Sequence, residues 1–465
     1  MKEIRLSAFM MNCMSHLSPG LWRHPSDRSL NYNDPGHWVA LAKLLEEGLF
    51  DTLFLADVLS VYDVYKGTVD ASLRPGAQVP VNDPLPLVPL MAFATRNLGF
   101  GLTASVSFEH PFPFARRMST LDHLTGGRVA WNIVTSYLNS GAPNVTSKSV
   151  MSHNERYDMA DEYMDVVYKL WEGSWADGAV VRDREAGTFA LPELVRPIEH
   201  IGKYFNVPGI HLCEPSPQRT PLLFQAGSSP RGRKFAARHA ECVFTGCPTI
   251  PVLAEVISGI RQELAYENRT VDDVAFFNMA TVIVDRSPEL ARRKFERILS
   301  LVDEEASLAL LSGATGIDLS GYDRRSPLRY VPTEAGQSVI EVFTTPVQAR
   351  EWKISELAKW CGVGGRGPVF VGSAAMVADE LERWVEATGV DGFNLSYALM
   401  PGTYEDIIEH LIPELQRRGR YKKEYRSGTI RNKMLGQGNF LPRHHYGTGF
   451  RDLPSVSGKG LDLAR

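Results

Sequence analysis

The stretch Gln225-Ala226-Gly227-Ser228-Ser229-Pro230-Arg231-Gly232 comes nearest to a ligand cradle in its residue types and their order. Leu222, Leu223 and Phe224 read as a short buried strand behind Pro221, and Lys234 to His239 read as helix, so the stretch is a strand-to-helix turn. Ser229 before Pro230 has the order of an N-cap and a first helical residue, where proline forfeits no helical hydrogen bond. The amides of Arg231 and Gly232, the two serine hydroxyls and the helix dipole then converge on one spot suited to a phosphate. An ordinary capped turn accounts for the same residues equally well. Neither Gly-x-Gly-x-x-Gly after a strand nor Gly-Lys-Ser/Thr is present, so a phosphate here would belong to a mononucleotide at a barrel rim rather than to a dinucleotide on an open sheet.

The elements that must position this turn follow from apolar periodicity. Strands are expected at Ile4–Met10, Thr52–Asp57, Leu98–Val106, Arg128–Ser136, Leu222–Ala226, Cys242–Gly246, Val274–Val284 and Val390–Leu395. Helical patterns alternate with them, among them Trp38–Leu49, Leu87–Arg96, Pro113–Leu124, Val252–Tyr266, Pro288–Val302, Ala374–Ala387 and Tyr404–Arg417. A further helix opens at Ser152-His153-Asn154-Glu155, which has capping-box spacing, and places His153 and Tyr157 one turn apart near its open end. Eight apolar runs with crossover helices predict a (β/α)₈ TIM barrel, with a doubly wound open sheet as the competing topology. The barrel is expected as a single domain over 1–426, with insertions near 58–86, 137–152, 176–221 and 303–368. Residues 427–465 read as an extended tail in which His444-His445-Tyr446 is a solvated run.

Bulk composition narrows the partners. The chain has 465 residues, 44% of them hydrophobic, and a formal charge of −4, which gives no general case for nucleic acid or an anionic membrane surface. Five scattered cysteines without Cys-x-x-Cys make a zinc or disulfide framework a poor reading. No signal-peptide pattern and no membrane-length apolar run stands out, so a cytoplasmic protein acting on small molecules is expected.

In a barrel, chemistry sits at the C-terminal ends of strands. Those ends offer Asp57, Thr103, Ser105, Asn132, Thr135, Ser136, Ser228 and Ser229, hydroxyls and amides with one acid. They suit a flat heteroaromatic with a polyol chain and suit a metal poorly; no His-x-x-x-His or His-x-His occurs. Glycosidase chemistry would need a second placed carboxylate, and a Gly-x-Ser-x-Gly elbow is missing, so a cofactor is the simpler agent. Each residue also has a structural reading: Asp57 as a cap, Thr103 and Ser105 as core hydroxyls bonded to backbone, Tyr157 as helix packing. Cys13, His16, Trp22, Arg23 and His24 crowd a loop at the same face; a Cys13–His16 nucleophilic pair there lacks a third, orienting residue.

Longer motifs carry a resemblance. Gly20-Leu21-Trp22-Arg23-His24-Pro25, Phe54-Leu55-Ala56-Asp57, the run Thr120 to Asn132, His153-Asn154-Glu155-Arg156-Tyr157 and Gln225-Ala226-Gly227-Ser228-Ser229 resemble the bacterial-luciferase-like flavin monooxygenases, in the branch of the nitrilotriacetate and dibenzothiophene-sulfone enzymes. The resemblance covers about Lys2 to Arg426. Ala56 to Tyr65, Gln78 to Pro84, Ser136 to Ser140 and Glu214 to Pro221 are similar to members that oxidise thioethers.

The resemblance implies reduced FMN delivered by a separate NAD(P)H-dependent flavin reductase, O₂ as co-substrate, oxygen transfer through a flavin C4a-peroxide, and a homodimer or homotetramer. It also implies flavin contacts at Asp57 and Thr103, and ribityl-phosphate contacts at His153, Tyr157, Ser228 and Ser229. To these the strand-end positions add Ser105 and Asn132. His16 is assigned to proton handling, and Tyr62 and Trp22 to lining the substrate pocket. A deazaflavin-dependent hydride transferase, a related monooxygenase of amines, sulfones or aromatics, and a flavin-binding protein without turnover are the alternatives.

Overall fold

A computed structural model of the chain describes residues 2–146, 151–347 and 350–451. Its strands are Arg5–Met11 (β1), Thr52–Ala56 (β2), Gly99–Ser105 (β3), Val129–Val134 (β4), Leu222–Gln225 (β5), Cys242–Thr245 (β6), Ala275–Asp285 (β7), Val369–Ser373 (β8) and Gly392–Ser396 (β9). All but β8 form one closed, parallel wall. The closure is set by register: β1 pairs with β2 through Ser7↔Thr52 and with β9 through Leu6↔Phe393, and β6 pairs with β7 through Cys242↔Ala275. A strand hydrogen-bonded on both sides all the way round excludes the open sheet. Helices His153–Tyr168 (α1) and Pro230–His239 (α2) follow β4 and β5. Glu304–Thr315 (α3), Gln337–Thr344 (α4) and Ile354–Cys361 (α5) build the 303–368 insertion, and Ile430–Leu435 (α6) lies in the tail.

The strand β8 is additional to the eight expected. β7 runs for 11 residues, long enough to hold β9 with Phe277 to Thr281 and then to overshoot the rim, where Thr281 to Asp285 pair with β8. The alternating half-buried pattern of Val369–Ser373 suits such an edge position and gives no continuous apolar run to read in the sequence.

The barrel interior is filled by aromatic rings. Phe244 lies 4.7 Å from Phe54, 4.8 Å from Phe224 and 5.0 Å from Phe277, centroid to centroid. Gly101 in β3 makes room for this cluster, since a Cβ there would stand 2.8 Å from the Phe224 ring. Below it the tail closes the barrel. Ile430 and Met434 of α6 complete the same apolar cluster, and Ile430 N–H bonds Gly127 O just ahead of β4.

The tail thus departs from an extended arm as far as Arg451. Arg431 is wholly buried and donates to both Glu241 oxygens, at 2.6 and 2.9 Å, and to the carbonyls of Thr220, Pro221 and Asn439. His445, expected in solvent, is 2% exposed and bonds His239 O, while His444 pairs with Asp273 at 2.8 Å. These contacts join sites too far apart in sequence for local patterning to show. Residues 452–465 of the expected tail lie outside the described residues.

Candidate active site

A cavity of about 350 Å³ opens at the C-terminal ends of the strands. His16, Asp57, Tyr62, Thr103, Asn132, His153, Tyr157, Ser228 and Ser229, nine of the eleven residues singled out by sequence, line it. Trp22 and Ser105 do not. The Trp22 indole is turned to donate to Pro75 O at 2.9 Å. The Ser105 hydroxyl is taken up by Ser136 Oγ at 2.7 Å and Ser107 N–H at 3.2 Å, tying the ends of β3 and β4 together. Of the crowded first loop only His16 reaches the cavity among Cys13, Trp22, Arg23 and His24; Arg23 turns to Gly20 and Leu301 carbonyls and His24 to Ser26.

One corner is built from two helix N-termini. Ser229 caps α2, its Oγ accepting from Gly232 N–H at 3.1 Å, with Pro230 at the first helical position. His153 opens α1, and its Nε2 lies 3.3 Å from Ser229 Oγ. Tyr157 stands one turn on, and burial raises its pKa. The hydroxyl occupies space beside Gly227 that any side chain would fill: a Cβ there would be 2.6 Å from it. Arg231 stacks 5.5 Å over the Tyr157 ring and is held by Asp158 and Asp161, so the tyrosine is fixed from outside. Ser152 does not form the expected capping box. Instead Glu334 from the insertion accepts from His153 N–H at 2.8 Å, and Arg156 donates to Glu334 O at 2.8 Å.

The floor carries amides with unused capacity. Asn132 donates to Thr103 Oγ1 at 3.0 Å, leaving its Oδ1 buried without a partner among the described residues. Gln225 Oε1 and Asn394 Oδ1 are in the same condition. Buried polar atoms are seldom left so, and a ligand with donors facing these carbonyls resolves all of them. Sequence reading marks Gln225 only as the first residue of the cradle stretch and Asn394 only as part of a strand, although both stand near the ends of apolar strands where a lone amide is a readable signal.

The remaining wall is drier. His16 is 4% exposed, its ring 4.6 Å from Phe9; burial depresses its pKa to about 3, so the imidazole is neutral across the ordinary pH range. One ring nitrogen bonds Phe9 backbone, and Nδ1 has no partner among the described residues. Gln78 braces the loop by donating to His16 O at 2.8 Å. Desolvation raises Asp57 to about 6, with Val58 N–H opposing the shift. Tyr62 packs against α3 at Gly313, where a Cβ would collide with its ring at 2.2 Å, and burial raises its pKa well above the usual value. The insertion supplies Leu310, Leu311, Val339 and Val342, which close this side against water.

Comparison with known proteins agrees with the geometry. The sequence signature of the luciferase-like monooxygenases matches residues 11–392. The dimethyl-sulfide monooxygenase of Hyphomicrobium sulfonivorans is 48% identical over 94% of this chain and 91% of its own length. A crystal structure of that organism's DmoA superposes with a TM-score of 0.90 at 47% identity, covering 97% of this chain and 96% of that one. The long-chain alkane monooxygenase of Geobacillus thermodenitrificans is 46% identical over 98% and 99% of the two chains. With the family's barrel closed around a cavity of this composition, the chain belongs to the luciferase-like monooxygenases and is a flavin-dependent monooxygenase.

Proposed function

We propose that this chain is the oxygenase of a two-component system that takes reduced FMN from a separate NAD(P)H-dependent reductase and oxygenates the carbon beside sulfur in a small thioether. The balance is thioether R–S–CH₂–R′ + FMNH₂ + O₂ → R–SH + R′–CHO + FMN + H₂O, the hydroxylated carbon releasing the thiol as it becomes a carbonyl. The observation that carries the reading is the union, in one cavity, of a corner suited to a phosphate with a dry compartment closed by the insertion. The thioether assignment is supported by the name of the relative that is 48% identical.

The residues present fit FMN. Ser228, Ser229, Tyr157 and His153 would hold the phosphate at the positive end of α2, where the Gly232 N–H is already taken by Ser229 Oγ. Asp57, Thr103 and Asn132 would meet the ring system, with Gln225 supplying a further carbonyl. Bound there, reduced FMN supplies the two electrons that activate O₂. His16 contributes a neutral ring whose Nδ1 can accept a hydrogen bond from the reacting oxygen and steady its proton, and Tyr62 shapes the substrate side.

The test mixes the protein anaerobically with photoreduced FMN, then admits oxygenated buffer with and without a thioether panel while flavin absorbance, thiol and aldehyde are followed together. Thiol and aldehyde in step with flavin oxidation support the reading; oxidation with no thioether product sends the substrate search to amines, sulfones and alkanes. His16→Ala is expected to lower product yield far more than flavin affinity. NADH-driven turnover that survives omission of the reductase sinks the two-component scheme.

A further inference from the structure

The cavity wall at Gly246 holds a cation that the reading above does not use. Arg366 is half-buried and lines the cavity, its side chain lying against the wall at Gly246, where a Cβ would be 3.5 Å from its Nε. Among the described residues it has no ion pair and its guanidinium donates no hydrogen bond; only its carbonyl is used, by Trp360 Nε1 at 3.4 Å. The other charged cavity residues are Asp57, and Arg156, whose terminal nitrogens are bonded to the Met151 and Glu334 carbonyls. Near Arg366 lie the Cys247 and Cys361 thiols, pushed up to about 12 by burial, and the Tyr62 hydroxyl, while Leu17 and Met279 pack at the neighbouring Gly365.

The loop that carries Arg366 is pinned. Gly364 N–H bonds Leu17 O at 3.0 Å, Thr281 Oγ1 donates to Val363 O at 3.0 Å, and Thr281 N–H bonds Pro368 O at 2.9 Å. Gly365 takes a φ of +104°, open to glycine, and a Cβ at Gly367 would strike Met279 O at 1.9 Å. No side chain is tolerated on either side of the arginine, so the backbone is pressed onto β7 and Arg366 alone projects. A guanidinium half-buried at the cavity wall with no counter-charge among the described residues can take one from a ligand. Its planar fork matches a carboxylate in two parallel bonds.

We propose that Arg366 anchors the substrate, and that the substrate is a thioether bearing a carboxylate. This rests on the monooxygenase reading for the reaction but not for the anchor. The carboxylate seats on the Arg366 fork, and the sulfur and its neighbouring carbon extend across the cavity toward His16 and the flavin floor. Arg366 is therefore a specificity residue, separating charged thioethers from neutral ones of the same shape.

The test is calorimetric titration of the full chain, loaded with photoreduced FMN under anaerobic conditions so that no turnover occurs. The probes are (methylthio)acetate and its neutral isostere (methylthio)acetamide. Wild type is expected to bind the carboxylate at least about tenfold more tightly than the amide, the size of one charge-assisted pair. Arg366→Gln should erase that preference while leaving reduced-FMN affinity and amide binding unchanged, and Arg366→Lys should keep part of it. Equal binding of both probes by wild type, persistence of the preference in Arg366→Gln, or loss of flavin affinity instead would each overturn the anchor. Should Arg366→Gln fail to fold, the partial preference expected of Arg366→Lys decides the matter. Readmitting air separates the two ideas: a preference that depends on Arg366 without thiol or aldehyde removes the thioether oxygenation and keeps the anchor.

Discussion

At the lower end of the barrel Arg431 and Glu241 are removed from water altogether, and the pair is completed by the Thr220, Pro221 and Asn439 carbonyls and the Leu223 amide. At the upper end Asn132, Gln225 and Asn394 are almost as deeply buried, yet each keeps a carbonyl oxygen without a partner among the described residues. Both ends bury polar groups at comparable depth, so depth does not distinguish a structural site from a functional one. What distinguishes them is whether the chain itself completes the hydrogen bonding. The Arg431–Glu241 pair is finished by the fold, and the three amides of the upper end keep acceptors that a ligand could finish.

The sharpest way to break this contrast is to remove Glu241. Glu241→Ala leaves a buried guanidinium with carbonyls alone, and the expected loss is about 3–5 kcal/mol of stability, read as a lower denaturation midpoint. Flavin affinity per folded molecule should be unchanged. A loss of affinity out of proportion to the loss of stability would mean the two ends are coupled through the barrel.

Next in size is the mirror experiment at the top. Ser229→Ala with Tyr157→Phe removes two groups that would bond a phosphate, and reduced-FMN affinity should fall about a hundredfold. Stability should drop only by about 1 kcal/mol, the worth of the Ser229 cap. Fluorescence titration alongside thermal melts separates the two; undiminished affinity places the phosphate elsewhere.

Asp57 gives a smaller effect with a defined sign. Its folded pKa is raised from 3.8 to about 6, so the folded protein holds the proton more tightly than the unfolded chain. Ligand-free stability therefore carries no penalty near pH 4, loses ground as pH rises through that window, and carries the full penalty above about 6. Asp57→Asn should match wild type at pH 4 and exceed it by about 2 kcal/mol at pH 8. His16, neutral in the fold but protonated in the unfolded chain below about 6.5, lowers the stability of both proteins alike as pH falls and so cancels from the comparison. A mutant advantage independent of pH would show that Asp57 is not held protonated in this window, and a disadvantage at pH 8 would show that it is paired rather than merely desolvated.

The wall of the barrel was legible because each of its eight strands is an apolar run bounded by turns, and the start of α2 at the cavity because Ser229-Pro230 announces a helix N-terminus by local chemistry. What was not legible depends on partners distant in sequence. Ile430 and Met434 are apolar residues in a basic, glycine-rich stretch, and nothing local says that the barrel lacks a floor without them. Glu334 reaches α1 from the far insertion and accepts from His153 N–H, while the Ser152 side chain makes no cap. Arg366 did leave a trace, since an arginine inside Gly364-Gly365-Arg366-Gly367-Pro368 is what a pinned, projecting cation looks like in sequence.

Ser105 supplies the finest test of the contrast, because it stands two residues beyond Thr103, the register partner of Asn132, and shares with Asn132 only its place near a strand end. Its hydroxyl is spent on Ser136 Oγ and Ser107 N–H, within the turn ends of β3 and β4, and it does not line the cavity. If completion of hydrogen bonding separates structure from function, Ser105→Ala should cost about 1 kcal/mol of stability and shift reduced-FMN affinity by less than about twofold. Asn132→Ala, which removes an unfinished carbonyl, should do the reverse, weakening the flavin by about tenfold. Equal losses of affinity at both positions would return the criterion to strand-end position alone, and the upper end of the barrel would then have to be read as one rigid polar rim in which bonded and unbonded groups serve the ligand alike.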